Sequence, residues 1–133
     1  FPFIKKTMII KIFLAIAALF GGLSVILGAF ASHALKERLS DRALEIWETG
    51  TKYQMYHALA LLLIALLLSR AETAPTSLII AGYAFIIGVV LFSGSLYSLS
   101  LSGIKWLGAI TPLGGVAFIL GWGCLLVAAW GFK

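Results

Sequence analysis

Four long apolar stretches dominate this chain and restrict its fold more than any motif does: about Met8 to Ala34, Tyr53 to Leu68, Ser77 to Leu101 and Trp106 to Gly131. As α-helices rising about 1.5 Å per residue, they are long enough to cross roughly 30 Å of hydrocarbon. The second is the shortest, and Lys52 and Arg70 at its ends extend it by snorkelling to the interfaces. The runs are continuous rather than alternating, and lipid offers no partner to an open sheet edge, so helices are predicted rather than strands. Composition agrees. Charged residues make up 11% of the chain and hydrophobic ones 62%, whereas a soluble domain carries about a quarter charged residues on its surface. The fold class that follows is all-α: a single transmembrane domain over residues 1–133, built as a four-helix up-down-up-down bundle.

The formal net charge of +5 is not a nucleic-acid footprint. The basic residues sit in or beside the connections between apolar runs, where they face lipid headgroups. They divide evenly. One membrane side, here side A, has Lys5, Lys6, Lys11, Arg70 and Lys133; the other, side B, has Lys36, Arg38, Arg42, Lys52 and Lys105. The positive-inside rule therefore gives a tie, which the early lysines tip towards a cytoplasmic N-terminus and a start at Met8 tips the other way. Met8 reads as a natural start, with Phe1 to Thr7 an extension ahead of it. Ala29-Phe30-Ala31 resembles a signal-cleavage site, but the apolar stretch before it exceeds a signal core, so the first span is expected to be retained. Cys124 is expected to be a small core residue.

Between spans one and two, residues 40–51 are expected to form a separate amphipathic helix on the membrane surface. Ser40 is its N-cap and Asp41 suits its first turn. Leu39, Ala43, Ile46, Trp47 and Gly50 share one face with Trp47 inward, and Glu48 and Lys52 form an i,i+4 pair. The other connections are tight, around Pro75 and Gly103, which favours antiparallel neighbours. Small residues at four-residue spacing suit close helix contact: Ala17 and Gly21, Gly28 and Ser32, Ala84 and Gly88, Ala117 and Gly121.

Polar side chains concentrate towards side B. His33 ends the first span, and Gln54 and His57 share a face at the start of the second. Ser93 and Tyr97 lie one turn apart in the third, and Thr111 stands early in the fourth beside Pro112. Pro112 is expected to free the Gly108 carbonyl at membrane depth. The candidate cluster is thus His33, Gln54, His57, Ser93, Tyr97 and Thr111. Four readings stay open. The residues hydrogen-bond helices together; they line a cleft for a quinone, lipid or small solute; His33 and His57 hold a haem; or they begin a metal site that Glu45 or Glu48 completes. No Asp or Glu falls within a span, which disfavours a proton-driven carrier and paired-carboxylate hydrolysis. There is no nucleophile elbow, phosphate loop or Cys-x-x-Cys motif, so no catalytic residue and no cofactor is assigned.

The strings GAFASHALK (Gly28 to Lys36), YQMYHALALLL (Tyr53 to Leu63), LFSGSLYSL (Leu91 to Leu99) and LGAITPLGGVAFILGW (Leu107 to Trp122) stand in order. Together they resemble the small membrane-protein family catalogued as domain of unknown function 423. Ala31 and Ser32 depart from the family's usual GAFGAH. The resemblance implies a four-span protein of a bacterial inner or plasma membrane and brings no established reaction. The expectation is therefore a non-enzymatic accessory or assembly subunit, with membrane lipids and either a larger membrane complex or its own copies as partners, and no nucleic acid.

Overall fold

Helix is the only regular state that satisfies backbone polar groups within an apolar run, and each of the four runs adopts it. The computed structural model describes residues 2–132; Phe1, Lys133 and the side chains of residues 2–5, Lys5 among them, lie outside the described residues. The elements are α1 (Pro2–Val25), a π-helical turn (Ile26–Ala31), α2 (Ser32–Leu35), α3 (Asp41–Arg70), α4 (Thr76–Ser102), a 3₁₀ turn (Lys105–Ala109) and α5 (Thr111–Ala129). Four helices long and apolar enough to cross a membrane result: Lys6–Leu35, Asp41–Arg70, Thr76–Ser102 and Lys105–Ala129.

The amphipathic stretch is helical, but it is not a separate helix. Ser40 caps it as expected, its Oγ accepting from the Ala43 N–H at 3.1 Å. From there α3 runs unbroken for 30 residues into the second span. Nothing between Ala43 and Tyr53 stops a helix; Gly50 is the weakest position and stays helical because α4 packs on it. At about 1.5 Å per residue α3 is about 45 Å long, so its charged first turns extend beyond the hydrocarbon at side B. The expected Glu48–Lys52 pair does not form. The one ion pair among the described residues is Arg42–Glu45, exposed at 3.3 Å, in keeping with the small energy of exposed helix pairs.

α3 and α4 form the centre, with α1 packed on α3 and α5 on α4. Among the described residues no α1 backbone comes within 8 Å (Cα–Cα) of α5, and the same holds for α3 and α5, which meet only through side chains. The bundle is therefore open, and α1 and α5 give most of their surface to lipid. Lipid tails are as apolar as the core, so close packing rather than water exclusion must hold these helices together.

Phenylalanine knobs set against glycines supply that packing. A Cβ at Gly82 would lie 2.2 Å from the Phe13 ring; at Gly88, 2.3 Å from Phe118; at Gly121, 2.5 Å from Phe85. Gly114 is tighter still in kind, because a Cβ there would meet the Phe92 backbone nitrogen at 2.4 Å. Gly21 faces Ala58, and Gly28 faces Thr51.

Two further points differ from expectation or refine it. Pro112 lies in the first turn of α5, where a missing N–H breaks no helical bond, so no acceptor is freed at depth. Gly103 ends α4 in the left-handed region (φ 71°), where its N–H reaches the Leu99 carbonyl at 2.8 Å.

Candidate functional site

The six candidate residues divide into three separate arrangements and one outlier. At the α1–α3–α4 junction, Gln54 is buried and bridges three helices. Its Nε2 donates to the Phe20 carbonyl of α1 at 2.9 Å, and its Oε1 accepts from the Tyr97 hydroxyl of α4 at 2.6 Å. One turn before Tyr97, the Ser93 hydroxyl donates to the Gly50 carbonyl at 2.7 Å. Gly50 is where the Tyr97 ring rests, since a Cβ would stand 2.8 Å from it. The missing side chain thus lets α4 approach closely enough for Ser93 to reach the backbone.

Trp47 belongs to the same junction. It is buried, as the amphipathic pattern predicts, but against the π-helical turn and Tyr97 of α4 rather than the membrane surface. A π-helical turn closes its bonds one residue further along than an α-helix and leaves a carbonyl exposed. Here the Leu27 carbonyl, inside Ile26–Ala31, accepts from the Trp47 indole N–H at 2.9 Å and from the Ser32 hydroxyl at 3.3 Å. The Trp47 and Tyr97 rings then pack with centroids 4.7 Å apart.

Thr111 stands apart from these residues. Its Oγ1 pairs with Ser95 Oγ at 2.6 Å, joining the start of α5 to α4. The buried Ser100 hydroxyl has no hydrogen-bond partner among the described residues.

His57 forms the third arrangement. It lies eleven residues before Leu68 in α3, about 16 Å along the helix. His57 stacks on Phe118 (centroids 3.6 Å, 7° between planes), with Phe85 and Trp122 beside it. Nδ1 is 2.8 Å from the Tyr53 carbonyl, and Nε2 is 3.1 Å from the Trp122 indole nitrogen. A carbonyl only accepts and an indole N–H only donates, so the ring is neutral with its proton on Nδ1. Both nitrogens are engaged.

His33 is exposed on α2 at the side-B end. The two histidines therefore present no facing pair for a haem, and His57 has no free nitrogen for one. Among the described residues no three of His, Cys, Asp and Glu come together as a metal-binding group. The donor set does not fit a haem or metal.

Trp122 and the backbone acceptors Phe20, Leu27 and Gly50 are absent from the sequence-predicted set. Carbonyls carry no side-chain signature. Trp122 carries one signal, an indole N–H inside an apolar span that needs an acceptor in lipid.

A family model described as protein of unknown function DUF423 matches residues 27–115, from the π-helical turn to the first turn of α5. The chain belongs to the DUF423 family. Relatives of this DUF423 chain include the UPF0382 membrane protein YwdK of Bacillus subtilis, 48% identical over 90% of this chain and 96% of that protein. A UPF0382 membrane protein of Staphylococcus epidermidis is 47% identical over 89% of this chain and 94% of its own length. The UPF0382 membrane protein SAB0533 of Staphylococcus aureus is 45% identical over 92% and 98%. No solved structure matches the chain. With four spans and relatives named as membrane proteins, this DUF423 member is a multi-pass membrane protein of a bacterial type.

Proposed function

We propose that this chain is a non-enzymatic accessory or assembly subunit that works within the bilayer through helix and lipid contacts. The observation that carries the reading is the state of its polar groups. Gln54, His57, Ser93, Tyr97 and Thr111 all face neighbouring helices and are hydrogen-bonded there, so no nucleophile–base pair or free ligand remains among them. The open arrangement adds to it, because α1 and α5 have broad apolar faces that their own chain does not cover.

Gly94 and Gly115 provide a test that separates association from folding. A Cβ at either meets nothing within 4 Å inside the chain. Leucine at each is expected to leave unfolding unchanged while weakening contact with a partner. Native mass spectrometry on protein extracted from its own membrane reads the result. A defined larger assembly for the wild type, lost in the variants, is the expected outcome; a bare single chain in every case sinks the proposal.

A further inference from the structure

Beside the His57–Trp122 hydrogen bond, a laterally open groove of about 510 Å³ lies between α3 and the C-terminal part of the chain. Leu63 and Leu67 form one wall; Trp122, Leu125, Leu126 and Phe132 form the other. The Trp122 N–H is spent on His57, so the groove has no polar group to offer along its length and suits a hydrocarbon chain. From Trp122 to Ala129, where α5 ends, is about 10 Å at helical rise.

Arg70 comes one turn after Leu67, at the C-terminal end of α3. Leu63, Leu67 and Arg70 recur at i, i+4 and i+7, on the stripe of α3 that faces the groove. Arg70 is exposed at the headgroup level and makes no ion pair or hydrogen bond with another described residue; Glu72, two residues on, is exposed and not paired with it. At the same corner Lys6 of α1 donates to the Ala71 carbonyl, adding a second cation. A helix C-terminus by itself explains a basic residue at position 70. It does not explain an apolar groove lined by Leu63 and Leu67 on the same stripe of α3.

We propose that this groove binds one anionic phospholipid of the side-A leaflet, with an acyl chain between α3 and α5 and the phosphate on the Arg70 guanidinium. The inference rests on the lipid-contact part of the function proposed above. A zwitterionic lipid offers the same chain and phosphate, but its own ammonium offsets the attraction to Arg70 and Lys6. Selectivity therefore comes from these cations and retention from the groove.

The test uses the full chain in nanodiscs containing equal phosphatidylglycerol and phosphatidylcholine, with retained lipid weighed by native mass spectrometry. The wild type is expected to keep one phosphatidylglycerol in preference to phosphatidylcholine. Arg70→Gln, a surface change, is expected to lower that preference about fivefold, the worth of roughly one cation at an anionic surface, while a lipid is still held. Leu126→Trp fills the groove and is expected to cut retention of both lipids with helix content by circular dichroism unchanged. Unchanged selectivity in Arg70→Gln, or unchanged retention in Leu126→Trp, overturns the proposal, as does equal retention of the two lipids by the wild type. Because this assay has no protein partner, its failure is distinct from failure of the assembly reading, which the Gly94 and Gly115 variants test in the native membrane.

Discussion

The two halves of this bundle are held by different forces. Towards side B, helices are tied by directed bonds: Trp47 to the Leu27 carbonyl, Gln54 to Phe20 and Tyr97, Ser93 to Gly50, Ser95 to Thr111. Towards side A, the contacts are apolar, with Phe13, Leu61, Ile64, Leu68 and Leu78 completely buried, and beyond them lies the groove. In water both halves would be driven together by the hydrophobic effect. In lipid the apolar half has only shape to distinguish neighbour from solvent, whereas an unpaired polar group in hydrocarbon costs several kcal/mol. The polar half therefore fixes register, and the apolar half is where the groove opens to lipid.

Sterics give the sharpest way to break that division. Gly114→Ala puts a Cβ against the Phe92 backbone, which cannot rotate away, and is expected to cost about 3 kcal/mol by forcing α4 from α5. Gly82→Ala, in the apolar half, drives the fully buried Phe13 ring from its place and is expected to cost about 2 kcal/mol. Denaturant titration in mixed micelles measures both; if either variant is as stable as the wild type, close glycine packing is not what holds the helices.

The polar half yields smaller, coupled effects. Gln54→Leu removes two interhelical bonds and is expected to cost about 1.5 kcal/mol, near the upper end for membrane hydrogen bonds. Combined with Tyr97→Phe, the loss should fall short of the sum, because both variants break the same bond. Full additivity in this double-mutant cycle would show that the Tyr97–Gln54 contact carries no energy. Trp122→Phe leaves His57 Nε2 without a donor and is expected to cost about 0.6 kcal/mol, the average for such bonds in a membrane. At the far end, His33→Ala is expected to stay within about 0.5 kcal/mol of the wild type, since the residue is exposed. A larger loss at His33 than at Trp122 would reverse the assignment of which histidine matters to the fold.

The four spans were legible because length and hydropathy are properties of consecutive residues, and so was the Ser40 cap, whose oxygen serves a donor three residues away. The same local signals predict a break in α3 that the structure lacks. The charges of residues 41–52 suit a bilayer surface, and nothing local in them reports α4 running beside them. Gln54, Tyr97 and Ser93 were picked out as polar residues in apolar runs, and two of them proved to be mutual partners. Thr111 and His57 were picked out by the same signal and went to other neighbours, because depth along a helix says nothing of which way a side chain faces across the bundle.

What the residues alone determine here is the solvent each segment tolerates. Long uncharged runs require lipid, and lipid requires helices, so span number and helical class follow from free energies that act along the chain. Partnership was decided only in three dimensions. The π-helical turn that exposes Leu27 to Trp47, the missing Cβ of Gly50 that admits Tyr97, and the groove between α3 and Trp122 each depend on interhelical distances. In a membrane those distances are set by tertiary packing and hydrogen bonding, since burial there does not distinguish one apolar face from another.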